Sequence, residues 1–155
     1  MDRITLEDFK KLEIGEAELL KDGRDAAIIA LGHMVHPSLK AADQLELEGI
    51  EVAVVNARFV KPLDKELILY LALKIGTLIT VEENVLRGGF GSAVLELLEE
   101  QGLSHVRVKR IGLPDIFIEH GSQVVLRDKY GLTARGIIDT VKEVLVREYA
   151  GIKNP

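Results

Sequence analysis

The sequence predicts a single α/β domain in which helices cover both faces of a mostly parallel sheet. Short apolar segments alternate with amphipathic ones along the chain. Three of the apolar segments are nearly continuous runs, as strands buried on both faces require. The 155 residues suit one domain, which at that size can bury roughly 70% of its unfolded surface.

The strand candidates are Ala26–Leu31, Val52–Asn56, Thr77–Val81 and Val106–Ile111. The fourth alternates, with Val106, Val108 and Arg110 on one side, and suits a position nearer a sheet edge. Between them lie helical patterns. Val35, Leu39, Ala42 and Leu45 recur at amphipathic spacing and are closed by Gly49. Pro62-Leu63-Asp64 opens a second helix over Lys65–Lys74, with Asp64 as its N-cap. Ser92 is the expected cap of a third, running to Gln101 with Val94, Leu97 and Leu98 inward. The last runs from Thr133 to Tyr149 on a stripe of Ile137, Val141, Val144 and Leu145. The segment Glu16–Leu20, followed by Lys21-Asp22-Gly23, reads as an added edge strand and tight turn, pairing antiparallel with its neighbour. The order is β-α-β-α-β-α-β-loop-α, and such alternation implies right-handed crossovers and a parallel sheet. The domain spans 12–150, after a polar lead-in of 1–11 and before a tail of 151–155.

Composition narrows the function classes. Hydrophobic residues make up 47% and charged residues 29%, which suits a globular chain. The net charge is −5 and no basic run exceeds two residues, so nothing suggests a nucleic-acid partner. With no Cys, disulfides, thiolate metal sites and a Cys nucleophile are excluded. No apolar run approaches the roughly 20 residues of a membrane helix, and the first residues lack the apolar core of a signal peptide. A cytoplasmic protein with no membrane partner is expected.

Few residues could carry chemistry. Arg87-Gly88-Gly89-Phe90-Gly91-Ser92 lies between a strand and a helix, where free N–H groups favour an anion. Neither the Gly-x-Gly-x-x-Gly spacing nor a following Gly-Lys-Ser/Thr is present. Two readings stand: a tight turn that lets the helix pack on the sheet, and an anion site formed by Gly88, Gly89, Gly91 and Ser92. Glu82 and Glu83 end a strand at the edge where open α/β sheets bind ligands. Adjacent strand residues point to opposite faces, so the two are not an acid/base pair and suit a domain interface better. His33 and His36 lack a third ligand and suit hydrogen bonding in a loop rather than a metal site. His105 belongs in a solvated turn. No catalytic, cofactor-binding or metal-binding residue is assigned. Leu113, Ile116, Phe117 and Ile118 are too apolar for a freely solvated loop. With His120 and Glu119 at the rim, they suggest a surface meant for another domain.

Four segments resemble the C-terminal domain of the 1-deoxy-D-xylulose-5-phosphate synthase family, a branch of the transketolase superfamily. They are Val55-Asn56-Ala57-Arg58-Phe59-Val60-Lys61-Pro62-Leu63-Asp64, and Thr80-Val81-Glu82-Glu83-Asn84 through Gly88-Gly89-Phe90-Gly91-Ser92-Ala93-Val94. Ile111-Gly112-Leu113-Pro114-Asp115 with Phe117-Ile118-Glu119-His120-Gly121 is the third, and Tyr130-Gly131-Leu132-Thr133-Ala134 with Gly136-Ile137 the fourth. The Glu-Glu-x-x-x-x-Gly-Gly pattern alone would point only to the superfamily; the first and third segments narrow it. Asn84 stands where many relatives have His.

The resemblance implies a three-layer α/β/α sandwich on a five-stranded, mostly parallel sheet with one antiparallel strand. It also implies a full-length enzyme that condenses pyruvate with glyceraldehyde 3-phosphate, releasing carbon dioxide. That enzyme uses thiamine diphosphate and Mg²⁺, held between its first two domains. This domain then packs on the middle domain and supports a homodimer. The chain itself is expected to be inactive, its partners being the N-terminal and middle domains of the same enzyme. Met1 opens a lead-in where the family carries its middle domain, which leaves a piece of a longer protein and a split or truncated gene product both open. The alternatives are another thiamine-dependent enzyme of the superfamily and a stand-alone anion- or phosphate-binding module.

Overall fold

The structure is a computed structural model and describes residues 11–151, with the side chains of 147–151 left aside. The lead-in, apart from Lys11, and the tail beyond Gly151 lie outside the described residues. In chain order the elements are β1 (Glu18–Lys21), β2 (Ala26–Ala30), a 3-10 turn (Gly32–Met34), α1 (Val35–Leu47) and β3 (Val52–Asn56). There follow α2 (Lys65–Ile75), β4 (Thr77–Val85), α3 (Phe90–Glu100), β5 (Arg107–Leu113), α4 (Gln123–Lys129) and α5 (Ala134–Gly151).

The strands form one five-stranded sheet in the order β1-β3-β2-β4-β5. Strands β2 to β5 are parallel and β1 is antiparallel to β3. Alternation along the central strands sends successive side chains to two cores. Ala26, Ile28, Ala30, Val52, Val54, Ile79, Val81 and Ile111 meet Ala41, Ala42 and Leu45 of α1 and Ile137 and Val141 of α5. Ala27, Ile29, Ala53, Val55 and Leu78 meet Ile68 and Leu71 of α2 and Phe90, Val94 and Leu98 of α3. The result is the expected three-layer sandwich. The stripe of α5 is buried as anticipated, and β5 lies at the sheet edge with Val106 and Val108 on the α2/α3 side.

Three local readings change. Strand β1 is an antiparallel edge strand, but it pairs with β3 and not with its chain neighbour β2. The connection crosses over the start of β3: Arg24 and Asp25 both donate their N–H to Glu51 O, at 3.0 and 2.9 Å. Gly23 makes the passage possible, since a Cβ there would lie 2.3 Å from Ala53 N. Helix α3 begins at Phe90, two residues before the expected cap Ser92, with Gly89 as the N-cap. Helix α4 occupies part of what reads as loop; Ser122 caps it, accepting the Val125 N–H.

Asp64 caps α2 as the sequence predicts, accepting the Leu67 N–H at 2.9 Å. Its second oxygen accepts the N–H of Ala17, just before β1, at 2.9 Å. Lys21, at the other end of β1, is tied to α1 through Asp43 at 2.6 Å and Glu46 at 2.9 Å. Those hydrogen bonds hold the Lys21 ammonium above its ordinary pKa.

Replacing a capping Asp by Ala usually costs about 0.5–2 kcal/mol. Asp64→Ala should fall at or above the upper end of that range, because the same side chain also anchors β1. Urea unfolding should show a lower midpoint, and amide exchange should show early opening of residues 17–21.

Candidate functional site at the carboxyl edge of the sheet

Because β2 to β5 run parallel, their carboxyl ends gather on one edge, where side chains from the following loops converge. Glu82 and Glu83 of β4 sit there and point to opposite faces, as adjacent strand residues must. Glu82 turns toward α3 and is fully buried. One oxygen accepts the N–H of Phe90 at 2.7 Å and the other that of Gly91 at 2.8 Å. Asn84 donates a longer bond, 3.3 Å, to the same carboxylate. The free N–H groups that open α3 are therefore occupied by the chain's own anion, where the helix dipole favours negative charge.

The glycines of this turn follow from that arrangement. A Cβ on Gly89 would lie 2.3 Å from Val85 O and 2.5 Å from Glu82 Oε2. On Gly91 it would lie 2.6 Å from Thr80 Oγ1 and 2.8 Å from Arg110 Cδ. Gly88 adopts φ 72, the left-handed region that favours glycine. Ser92 sits in the first turn of α3 rather than capping it. Its hydroxyl accepts from Gly88 N and Arg110 Nη1 and donates to Leu86 O, at 3.1, 2.9 and 2.9 Å. Gly88, Gly89, Gly91 and Ser92 thus close around internal partners. The Thr80 hydroxyl beneath them is buried with no hydrogen-bond partner.

Glu83 faces the other side and is about a third exposed. Its Oε1 accepts Arg127 Nε at 2.7 Å and lies 2.5 Å from Arg127 Nη2. Its Oε2 lies 3.1 Å from Nδ1 of the exposed His33. Beside this pair a cleft of about 120 Å³ is lined by Leu113, Ile118, Leu126 and Leu132, with Glu83, Gln123 and Arg127 at its polar side. On the connection from β5 to α5 the large apolar side chains lie bare: Ile116 62% exposed, Phe117 103%, Val124 78% and Val125 62%. Lys129 reaches Glu119 at 3.2 Å, and that hydrogen bond holds its ammonium above the ordinary lysine pKa.

The interface candidates therefore separate. Ile116, Phe117, Glu119 and His120 are exposed. Leu113 and Ile118 line the cleft half-buried, and Glu83 stands at its side. Glu82 is interior and reaches no surface. Val124, Val125 and Arg127 belong with the site but were missed by sequence reasoning; the signal for them was Ser122 preceding a short apolar run. His36 and His105 are exposed and stand apart from these contacts. Among the described residues no group of three or more His, Asp or Glu is placed to hold a metal ion. No helix there is long and apolar enough to cross a membrane.

The family model for the C-terminal domain of transketolase matches residues 15–137, which cover all five strands and the whole carboxyl edge. The chain belongs to the transketolase C-terminal domain family. Among curated proteins it is 55% identical over 142 residues to the 1-deoxy-D-xylulose-5-phosphate synthase of Heliobacterium modesticaldum, covering 91% of this chain and 22% of that protein. It is 56% identical over 131 residues to synthase 1 of Geobacter metallireducens, covering 84% and 21%. The Aquifex aeolicus synthase is 49% identical over 142 residues, covering 92% and 22%. The chain thus spans about a fifth of the length of the curated relatives it matches. Among solved structures it resembles a chain described as split gene transketolase, inactive beta4 tetramer. That match has a TM-score of 0.80 and 40% identity, and covers 90% of this chain and 44% of the other. The transketolase-type domain and its fold are those the sequence motifs imply.

Gly89→Val should destabilise the domain by about 2–4 kcal/mol, because the added atoms meet a backbone carbonyl and a buried carboxylate, neither of which can withdraw cheaply. Thermal melting checks it; an unchanged midpoint would show that the turn has room to move.

Proposed function

We propose that this chain is the C-terminal domain of a 1-deoxy-D-xylulose-5-phosphate synthase, serving that enzyme as a docking and oligomerisation domain. The whole enzyme would condense pyruvate with glyceraldehyde 3-phosphate, with loss of carbon dioxide, in the cytoplasm and as a homodimer. Thiamine diphosphate and Mg²⁺ would be held by its other domains. The observation that carries the docking role is the bare apolar connection around Ile116, Phe117, Val124 and Val125 beside a half-buried apolar cleft. Exposed patches of this kind mark surfaces that another domain covers. The relatives supply that other domain, since about four fifths of their length lies outside the match.

The residues of this domain do not fit the cofactor. The N–H groups at the start of α3, the natural cradle for a diphosphate, already hold Glu82. A second anion there would face the buried Glu82 carboxylate, while the nearby Arg110 is turned to Leu86 O and Ser92. No step of the reaction is routed through this chain; its contribution is to bind and orient the domains that react. The same geometry weighs against a stand-alone phosphate-binding module.

Calorimetric titration of the chain with thiamine diphosphate and Mg²⁺ should give no heat of binding; a micromolar dissociation constant would overturn the non-catalytic reading. The isolated chain should also self-associate through the bare connection. Light scattering should show larger species that revert to monomer in Phe117→Ser/Val124→Ser. Both side chains are exposed, so the variant should melt within about 0.5 kcal/mol of wild type. A wild type that stays monomeric at high concentration would remove the apolar connection as the docking face.

A further inference from the structure

Helix α4 is seven residues long and none of them is buried. A helix so short gains little from its own hydrogen bonds, so its position depends on what ties it to the domain. Lys129–Glu119 joins two exposed residues of the same connection and does not reach the sheet. Leu126 packs beneath Gly121 and lines the cleft. The tie that reaches the sheet is Arg127 to Glu83, in which two nitrogens of one guanidinium converge on one carboxylate oxygen at 2.7 and 2.5 Å. Glu83 is held from behind. Its chain neighbour Glu82 is pinned to α3 on the opposite face, and its second oxygen meets His33 at 3.1 Å.

We infer that the Glu83–Arg127 contact is a latch that sets the pose of α4, and so builds the docking face for the middle domain of the same enzyme. The cleft over Leu113 and Leu132 receives an apolar side chain from that domain. The inference rests on the docking reading above. A guanidinium brings two donors to that oxygen where an ammonium would bring one, so Arg127 holds α4 at a set distance from β4 more firmly than Lys could. In that pose Leu126 closes one wall of the cleft while Val124 and Val125 stay outward. The occupant follows from length. The matched relatives devote only 22% of their chain to this region, and the rest of the same polypeptide is present at a far higher effective concentration than any free partner. Arg127 and Glu83 are therefore positioning residues of the interface rather than its anchors.

The test compares the full 155-residue chain with Glu83→Gln, Arg127→Lys and the exchanged pair Glu83→Arg/Arg127→Glu. The readouts are amide hydrogen exchange and binding to the Heliobacterium modesticaldum synthase lacking its C-terminal domain. Glu83→Gln should speed exchange across 123–129 about tenfold and weaken binding about tenfold, the usual effect of losing a charged hydrogen-bonded pair. Amides of β2 to β4 should be unchanged. Arg127→Lys should fall between wild type and Glu83→Gln, and the exchanged pair should recover part of both losses. Unchanged exchange in Glu83→Gln and Arg127→Lys overturns the latch. So does faster exchange with undiminished binding, which leaves the docking reading standing. If Glu83→Gln opens the whole sheet, Arg127→Lys, which leaves β4 intact, decides in the same way. A wild-type chain that does not bind overturns the docking reading itself, and with it the role given to the latch.

Discussion

A carboxylate buried at the end of a central strand constrains everything around it. Glu82 has no exposed surface and spends both oxygens on the first N–H groups of α3. An ionised group taken out of water is tolerable only where its lone pairs are matched, and charge-assisted bonds to backbone N–H are among the stronger ways to match them. The helix dipole adds to the match. The arrangement leaves no space for side chains nearby. A Cβ on Gly89 would strike the carboxylate, and one on Gly112 of the neighbouring strand would lie 3.1 Å from Glu82 Cγ. Glu82 shares these close approaches with Val85 O at Gly89 and with Leu86 and Asn84 O at Gly112, so the packing around its carboxylate calls for glycine in the turn and again on β5. The glycine run packs against Glu82, Val85 O, Thr80 and Arg110, with Gly88 in the left-handed region.

Strand periodicity then divides labour between adjacent residues. Glu82 binds inward and ties the end of β4 to the start of α3. Glu83, one residue on, presents its carboxylate outward to Arg127 and His33. The sheet carries the carboxylate that positions α4, while the exposed apolar side chains sit on a connection with few buried residues. A connection of this kind can shift without disturbing the core.

The alternation of apolar runs and amphipathic spacing made the layers legible, because both central-strand faces are covered and periodicity reports burial directly. Asp64 was legible because capping is a local interaction between residues three apart. Ser92 misled for the complementary reason. The N–H groups that open α3 are taken by Glu82 of the preceding strand β4, and nothing within the helix sequence announces a partner eight residues upstream. The pairing of β1 with β3 was hidden because a turn after a short strand reads as a hairpin, while the close passage at Gly23 is a tertiary fact. At the candidate site, Phe117 and Ile116 were visible as apolar residues in a loop. Val124 and Arg127 were not, since α4 buries nothing and so leaves no periodic stripe to detect. The family motifs reached further than periodicity, locating the Glu-Glu pair and the Gly-rich turn, but they did not say which carboxylate faced inward.

The sheet order has a consequence for assembly of the chain in time. Among the described residues β1 pairs with β3 alone, which follows it by more than thirty residues, with β2 and α1 between them. While the polypeptide emerges from a ribosome, β1 has nothing to pair with until β3 has been made and has settled against β2. A loop of that length must also be closed before the pairing is rewarded. The compact local unit is β2-α1-β3, whose strands are neighbours in space and whose side chains share one core. Closing that loop carries an entropic cost that the local β2-α1-β3 unit does not, which favours adding β1 after that unit, where Asp64 of the α2 cap and Asp43 and Glu46 of α1 then hold it.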